Sequence, residues 1–201
     1  MTVVIQYNAG NIQSVRYALA RVGAECTVTD DPVLIRSADR VIFPGVGEAS
    51  TAMTYLRERG LDEVIRSLTQ PVLGICLGMQ LMCMHSEEND VACLGVFGET
   101  VRRFRPESAA AGGLAAAKVP QIGWNTLYDT QSPLLAGLGE SPYVYFVHSY
   151  YADLGPHTIA RTDYIQPYSS ALQRANFYGV QFHPEKSAAV GERILKNFLA
   201  L

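Results

Sequence analysis

The sequence predicts an α/β fold with three layers, a mostly parallel central sheet flanked by helices, and an antiparallel extension. In residues 1–75, short apolar runs alternate with stretches of helical periodicity. Strands separated by helices in this way are joined by crossover connections and pair in parallel. From about Leu94, strand-like runs follow one another closely, with turn residues between them. Such spacing is typical of antiparallel pairing, and it predicts the extension.

The first predicted strand and helix lie within residues 3–23. Residues 3–7 form a short apolar run that ends in the turn signal NAGN. Gly23 stands where a helix commonly ends. Between them, apolar residues recur on one helical face, at Ile12, Val15, Leu19 and Val22.

Three further strands and their helices complete the first half of the chain. The strands are the runs ECTVT, RVIFPG and PVLGI. Residues 48–59 are predicted to form a helix closed by Gly60, and residues 77–85 can also be helical. Between these two segments, a second apolar helical face comprises Leu61, Val64, Ile65 and Leu68.

The second half of the chain is predicted to be rich in strands. We expect its runs to extend the same sheet: ETVRRF, WNTLY, YVYFVHSYY, TIART, SSALQRA and FYGVQF. Residues 107–118 are rich in Ala and Gly, which favours a flexible surface loop. A final amphipathic helix follows at Val190, Ile194 and Phe198, and we expect residues 1–201 to form one domain.

Composition and charge argue against several classes of function. The net charge is −3 and no long basic run occurs, which disfavours nucleic acid or an anionic membrane as the main partner. Apolar runs stop short of the roughly 18 residues of a membrane span, and the N-terminus lacks signal-peptide features. We therefore expect a cytoplasmic protein. The four cysteines have neither disulfide-framework nor metal-site spacing, so we expect thiols, no metal and no cofactor.

The pentapeptide GICLG, residues 74–78, is a candidate for chemistry. It has the form of a nucleophile elbow, a tight strand-to-helix turn in which side chains flanking the nucleophile would clash. The helix N-terminus would favour a thiolate at Cys76, and the N–H of Leu77 would point at the oxyanion of an acyl intermediate. A buried core cysteine is the alternative, and the pentapeptide alone leaves both open.

A cysteine nucleophile needs a base and a group that orients the base. Among the four histidines, His183 stands at the end of a predicted strand in YGVQFHPEKS. Pro184 favours an extended conformation at His183, and residues i and i+2 of an extended segment point to the same side. We therefore expect Glu185 to lie beside the His183 ring. We expect His148 to be structural or interfacial, and Cys83 to pack in the core.

GICLGMQ and FHPEKS together resemble the class I, triad-type glutamine amidotransferases, which release ammonia from glutamine with Cys, His and Glu. FPGVG, PQIGWN, YFVHSYY and AGNIQSV resemble, within that family, the glutaminase subunit of imidazole glycerol phosphate synthase. The resemblance covers nearly the whole chain and implies the flavodoxin-like fold of the family. It implies Cys76 as the nucleophile, His183 as the general base and acid, and Glu185 as the orienting group.

The resemblance also implies how the site binds glutamine. Backbone N–H groups of Leu77 and of the region of Val46 and Gly47 would hold the oxyanion. The α-amino and carboxylate groups of glutamine would be held by Gln80 and Glu88, with an opposite wall formed by Ser149 and Tyr150.

The expected partner is a (β/α)₈-barrel cyclase subunit, in a heterodimer. The cyclase would use the ammonia to form imidazole glycerol phosphate and an aminoimidazole carboxamide ribotide in histidine biosynthesis. The positions that match the family's interface are Asn11, Trp124, Asn125, Tyr145 and Lys186.

Two alternatives stay open. One is the glutaminase of another class I enzyme, such as the one that feeds pyridoxal phosphate synthesis; FPGVG and PQIGWN speak against it. The other is a non-enzymatic relative with a redox-sensing or merely packed cysteine; the complete set of Cys, His and Glu speaks against it. The chain departs from the family's usual D-Y-G-x-G-N first loop at Gln6 and Asn8, from a common His at Gln121, and in a longer loop at residues 107–118.

Overall fold

A computed structural model describes residues 1–8, 10–106 and 117–201. Its helices are α1 (Ile12–Arg21), α2 (Pro32–Ser37), α3 (Ala49–Glu58), α4 (Leu61–Arg66), α5 (Leu77–Met82) and α6 (Ala188–Ala200). Its strands are β1 (Thr2–Ile5), β2 (Cys26–Thr29), β3 (Arg40–Gly45), β4 (Val72–Cys76), β5 (His85–Ser86), β6 (Val91–Ala92), β7 (Thr100–Arg103), β8 (Gln121–Thr126), β9 (Tyr143–His148), β10 (Tyr150–Ala152), β11 (Thr158–Asp163), β12 (Pro167–Arg174) and β13 (Phe177–Val180). Most of the predicted Ala/Gly-rich loop lies outside the described residues.

The main sheet is parallel at its centre and largely antiparallel at one side. Five parallel strands stand in the order β2–β1–β3–β4–β13. From β13 the sheet continues through β12, β10, β7, β5 and β6, and β11 pairs with β12; only the β5–β7 pair in this part is parallel. The predicted α/β class with an antiparallel extension is therefore confirmed.

Two of the predicted strands do not join the main sheet. β8 and β9 pair only with each other, from Gln121 opposite His148 to Thr126 opposite Tyr143. The expectation that WNTLY and YVYFVHSYY both extend the main sheet is wrong for these segments, and only β10, after Ser149, enters it. β9 still alternates between the core and the open side, and its Val144 and Phe146 are fully buried.

The sheet separates two hydrophobic cores. Along β1, Val3 and Ile5 face one core, whereas Val4 faces the other, as the period of two in a strand requires. Helices α2 to α5 contribute to the first core. Helices α1 and α6, together with β9, contribute to the second. The helices therefore cover both faces of the sheet, which is the predicted three-layer arrangement.

Two helical segments differ from the expectation. A short helix, α2, follows β2; Asp31 caps it and Pro32 stands in its first turn. Helix α5 ends at Met82, because Cys83 is extended and residues 85–86 pair with β6 and β7. Sheet pairing therefore outweighs the helical tendency of residues 83–85. In the described part of the chain, no helix is long and apolar enough to cross a membrane.

Candidate active site

Cys76 lies at a strained turn between β4 and α5. Its φ is 54° and its ψ is −110°, a conformation that side-chain-bearing residues rarely adopt. A Cβ on Gly78 would stand 1.9 Å from the carbonyl oxygen of Phe43, and one on Gly74 would stand 2.8 Å from the amide nitrogen of Met79. The predicted steric need for both glycines is thus confirmed, and the turn has the form of a nucleophile elbow.

The side chain of Cys76 is buried to 7% exposure and has polar neighbours on several sides. Its sulfur lies 3.6 Å from Nε2 of Gln181 and 3.8 Å from the carbonyl oxygen of Val147. His183 lies close enough to Cys76 for Cys76 to raise the pKa of the His183 ring. A base within hydrogen-bond reach of a thiol is the arrangement that activates a cysteine nucleophile.

His183 is paired with Glu185 on its other ring nitrogen. Nδ1 of His183 lies 2.8 Å from Oε1 of Glu185, and both side chains are buried. The contact is the expected one, but its backbone differs from the expectation. Only His183 is extended, and Glu185 belongs to a 3₁₀ turn at Pro184–Lys186. The carboxylate accepts the Nδ1 hydrogen and so directs Nε2 towards Cys76.

The pKa of His183 is raised. Burial by itself lowers this pKa, but the hydrogen bonds and charges of Cys76 and Glu185 outweigh burial and raise the pKa to about 10. The imidazole therefore holds a proton at neutral pH, as a general acid for a leaving amine must.

The turn that carries His183 is held by several backbone contacts. Ser187 Oγ donates to the His183 carbonyl oxygen at 2.6 Å and accepts from the Tyr145 amide at 3.0 Å. The His183 amide donates to the Tyr145 carbonyl oxygen at 2.9 Å. Helix α6 comes so close that a Cβ on Gly191 would stand 1.9 Å from the Pro184 carbonyl oxygen. These contacts fix His183 relative to β9 and α6.

A cavity of about 290 Å³ opens beside Cys76, a suitable size for a small molecule. It brings together residues from β4, α5, β9 and the loops around them. Its lining consists of Val46, Gly47, Cys76, Leu77, Gln80, Glu88, Val147, His148, Ser149, Tyr150, His183 and Lys186.

Two lining residues provide groups that suit an ammonium ion. Gln80 uses Nε2 for two hydrogen bonds, to the Tyr150 carbonyl oxygen and to Gln181 Oε1, each at 2.9 Å. Since both amide hydrogens are committed, Gln80 can offer a ligand only its carbonyl oxygen. Glu88 accepts from the Ala49 amide at 2.8 Å, and burial raises its pKa. Both groups therefore favour a ligand that donates hydrogen bonds.

The loop of Gly45, Val46 and Gly47 has one fixed glycine and one unhindered glycine. A Cβ on Gly45 would stand 2.5 Å from the Tyr7 hydroxyl oxygen and 2.7 Å from the Gly78 amide nitrogen. Gly47 has a φ of +113° and open space around the corresponding position, while Val46 is 41% exposed. Gly45 thus serves close packing, and conformational freedom resides at Gly47.

An exposed aromatic surface lies on β8 and β9, beyond Lys186. Trp124 is 44% exposed, and its ring centroid lies 6.0 Å from the centroids of both Tyr143 and Tyr145. Lys186 Nζ lies 5.9 Å from the Tyr145 ring centroid and also lines the cavity. Together with Ile122, which is 63% exposed, these rings form a patch that continues to the cavity through Lys186.

His148 is a buried neighbour of the cavity wall. Its Nδ1 lies 2.7 Å from the Tyr150 carbonyl oxygen, and burial lowers the pKa of the ring to about 4, against the raising effect of that hydrogen bond. The ring is therefore neutral at neutral pH and supports the segment of Ser149 and Tyr150.

The remaining cysteines are not among the residues that line the cavity beside Cys76. Cys83 is fully buried, and its sulfur lies 3.6 Å from the Met79 carbonyl oxygen, so it packs in the core as expected. All four cysteines are free thiols. Among residues 1–8, 10–106 and 117–201, no group of three or more His, Cys, Asp or Glu side chains could hold a metal ion.

A family model for "Glutamine amidotransferase class-I" matches residues 3–201 of the 201-residue chain. The chain belongs to the class I glutamine amidotransferases. It is therefore an enzyme of this family, and the resemblance seen in its motifs is confirmed.

Curated relatives are similar to this amidotransferase over nearly its whole length. The "Imidazole glycerol phosphate synthase subunit HisH" of Bacteroides thetaiotaomicron is 56% identical over 198 residues, 98% of each chain. The protein of the same description from Shewanella loihica is 46% identical over 210 residues, covering 100% of this chain and 90% of the relative.

Solved structures have the same fold at low sequence identity. A putative GMP synthase subunit from Thermoplasma acidophilum has a TM-score of 0.74 and 18% identity, and the alignment covers 100% of this chain and 92% of the other. A second structure, of a glutamine amidotransferase, has a TM-score of 0.71 and 22% identity over 98% and 97% of the two chains. These similarities confirm the fold of the amidotransferase.

The sequence located most of the residues that this amidotransferase gathers at the cavity. Every predicted oxyanion and substrate position lines it, as do Cys76 and His183, with Glu185 behind His183. Of the predicted interface positions only Lys186 does so, while Trp124 and Tyr145 lie on the aromatic surface.

Two predicted interface residues are engaged within the chain. Asn125 donates to the Asp163 carbonyl oxygen at 2.9 Å, and Asn11 caps α1 by accepting from the Ser14 amide at 3.3 Å. Neither contact tests a role at an interface, so both assignments stay predictions.

Sequence reasoning missed Tyr143 and Gln181. The alternation of β9 was a signal for Tyr143, which lies two residues before Tyr145. For Gln181 the signal was its position two residues before His183 in a predicted strand.

Proposed function

We propose that this chain is the glutaminase subunit of an imidazole glycerol phosphate synthase, with Cys76 as its nucleophile. The observation that carries the chemistry is the buried array in which His183 lines the same cavity as Cys76, pairs with the Glu185 carboxylate and has its pKa raised by both Cys76 and Glu185. The 56% identity with the HisH subunit of Bacteroides thetaiotaomicron supports the assignment to this synthase and to histidine biosynthesis.

The array supports a two-step hydrolysis. The Cys76 thiolate attacks the γ-amide carbon of glutamine, and backbone N–H groups of Leu77 and of the segment of Val46 and Gly47 hold the oxyanion. When the C–N bond breaks, His183 gives its Nε2 proton to the leaving nitrogen, and a γ-glutamyl thioester remains. Water then attacks the thioester and passes a proton to His183, which releases glutamate and restores the thiolate. Glu185 holds the Nδ1 hydrogen throughout.

Glutamine is oriented by the two ends of the cavity. The α-ammonium group is held by Glu88 and by the carbonyl oxygen of Gln80, whose amide hydrogens are both used within the chain. Ser149 and Tyr150 form the opposite wall. The γ-amide then lies at Cys76.

The partner is a (β/α)₈-barrel cyclase subunit, in a heterodimer. We place its docking site on the exposed aromatic surface around Trp124, with Tyr145 and Lys186 at the border of the cavity. Trp and Tyr are favoured at interface centres. Docking there would cover the cavity and let ammonia pass to the cyclase without release to water, for formation of imidazole glycerol phosphate and an aminoimidazole carboxamide ribotide.

The test is glutamine hydrolysis by the purified chain, with and without the cyclase and its ligand. We expect low turnover alone and a marked increase in the complex, because the oxyanion loop is incomplete without its partner. Cys76→Ser should abolish glutamine-dependent activity and leave ammonia-dependent cyclisation by the complex intact. Cys83→Ser is the matched control and should retain glutamine turnover.

Normal glutamine turnover by Cys76→Ser would end the assignment of the nucleophile. Partner exchange separates the proposal from its nearest rival. If the chain activates with a pyridoxal phosphate synthase and not with the imidazole glycerol phosphate cyclase, the proposed pathway is wrong.

A further inference from the structure

A directed series of hydrogen bonds ends at the sulfur of Cys76. It begins at the Tyr150 carbonyl oxygen, which accepts from Gln80 Nε2 at 2.9 Å. The same Nε2 lies 2.9 Å from Oε1 of Gln181, and Nε2 of Gln181 lies 3.6 Å from the Cys76 sulfur. Gln181 is fully buried, directly after β13 and two residues before His183. The two-step hydrolysis gives this side chain no role.

The direction of the series is fixed by its first member. A backbone carbonyl can only accept, so the end of the Gln80 amide that faces Tyr150 must be the NH₂ group. That NH₂ group also faces Gln181, and the Gln181 atom that meets it must therefore be the carbonyl oxygen. The remaining atom of the Gln181 amide, which faces Cys76, is consequently the NH₂ group. If either amide were flipped, two donors or two acceptors would face each other.

The backbone of Gln181 is fixed as well. Its amide nitrogen donates to the Ser170 carbonyl oxygen at 2.9 Å, which continues the pairing of β13 with β12 beyond Val180. With both the main chain and Oε1 held, the NH₂ group has little freedom to turn away from the sulfur. A buried donor in a fixed position interacts more strongly with a charge than a solvated one does.

We propose that Gln181 is a catalytic residue of the amidotransferase reaction, donating its side-chain amide hydrogen to the Cys76 sulfur and thereby stabilising the thiolate beside His183. The inference rests on the proposed role of Cys76 as nucleophile. Hydrogen bonds to a charged acceptor are about twice as strong as those between neutral groups.

His183 and Gln181 would act on the sulfur in different ways. His183 gives its proton to the leaving nitrogen, so it cannot stabilise the Cys76 thiolate at every step of the reaction. The amide of Gln181 keeps its hydrogen at every step. It can therefore stabilise the thiolate both before attack and when hydrolysis of the thioester regenerates it.

The test measures alkylation of Cys76 by iodoacetamide in the full-length chain, at a series of pH values, with the modified residue identified by peptide mass spectrometry. The variants are Gln181→Met, which removes the donor at similar size, and Gln181→Glu, which places an acceptor against the sulfur. Gln173→Glu is the control, because Gln173 is a half-buried glutamine on β12 outside the site. Thermal unfolding by circular dichroism shows which variants fold.

At neutral pH we expect Cys76 alkylation to slow by about tenfold in Gln181→Met, the usual effect of losing one hydrogen bond to a charged group. Gln181→Glu should slow it further, and both variants should need a higher pH to reach the maximal rate. The control should match the unsubstituted chain. A purely structural role predicts the opposite order, because Glu retains the size and the Oε1 contact of Gln.

Alkylation of Cys76 in both Gln181 variants at the rate of the control would overturn the inference. If neither variant folds, the same alkylation assay is run on Gln80→Met, which removes the hydrogen bond that orients the Gln181 amide. An unchanged rate of Cys76 alkylation in Gln80→Met would then overturn the inference. Failure of the proposed function is detected separately, as glutamine turnover by Cys76→Ser. If Cys76→Ser is inactive while Cys76 in the Gln181 variants is alkylated at the normal rate, this inference is refuted and the proposed function stands.

Discussion

Gly78→Ala gives the most direct test of how the elbow is built. The new Cβ would stand 1.9 Å from the carbonyl oxygen of Phe43 and 2.9 Å from its carbonyl carbon. Even a close C···O contact measures about 3.3 Å, so the two segments would have to separate by about 1.4 Å. Phe43 lies in β3, between β1 and β4, and is fully buried. Its carbonyl is main chain and cannot rotate away as a side chain could.

Overpacking of this kind typically lowers the free energy of unfolding by about 1–3 kcal/mol. Because the added methyl group would meet the main-chain carbonyl of Phe43, we expect Gly78→Ala to lie at the upper end of this range. For a chain of this size, about 3 kcal/mol corresponds to a melting temperature lower by about 6–12 °C. Cys76 lies two residues before Gly78 and would move with the turn. A displacement of about 1 Å in a reacting group can cost about a hundredfold in rate, so glutamine hydrolysis should fall by that order.

The assay is thermal unfolding by circular dichroism, paired with glutamine turnover in the presence of the partner. Gly98→Ala is the control, because its Cβ would meet nothing closer than the His157 ring, at 3.8 Å. That substitution should leave stability unchanged or raise it slightly, by less than about 1 kcal/mol. If Gly78→Ala has the same melting temperature as Gly98→Ala and remains active, the steric account of the elbow is wrong.

Further predictions concern the charges of the site and the aromatic surface. Glu185→Gln should lower the pKa of His183, because the carboxylate helps to raise it to about 10, and glutamine turnover should fall by about tenfold or more; a pH series of turnover rates checks this. Cys76→Ser should also lower the pKa of His183, seen by NMR titration of its ring, and a pKa still near 10 would contradict the pairing. Since the folded-state pKa exceeds the unfolded value of about 6.5, the stabilisation from His183 is complete below about pH 6.5 and is lost as pH rises through about 10. Trp124→Ala should weaken binding of the partner by about 2 kcal/mol in calorimetry, whereas Tyr17→Ala, at a tyrosine 61% exposed on α1, should not.

The parts of the site that the sequence predicts are local in the chain. The elbow needs a strand, two glycines and a helix within a few residues, and all of these lie between residues 72 and 82. His183 and Glu185 are two residues apart, so their contact does not depend on how distant segments of the chain pair. Local patterns of this kind depend little on how the rest of the chain folds.

The parts that the sequence misses depend on long-range pairing. The alternation of β9 predicts that one face is buried, but not that its partner is β8 rather than the main sheet. Residues 83–86 leave the helix because β6 and β7 pair with residues 85–86, and no local signal reports this. Gln181 resembles an ordinary strand residue until folding places it against Cys76 and Gln80, which lie about a hundred residues earlier in the chain.

The distribution of close contacts indicates where a partner can act on this site. Cys76 is enclosed by packing at Gly45, Gly74 and Gly78, where no added atom could be accommodated without main-chain movement. Val46 and Gly47 have the opposite character, since Val46 is exposed and Gly47 has open space around it. A docked protein can therefore change the direction of a peptide N–H at Val46 or Gly47 at small cost, whereas moving the sulfur would disrupt the sheet. We accordingly expect activation to change the stabilisation of the oxyanion, and to leave the rate of Cys76 alkylation nearly as it is in the free chain.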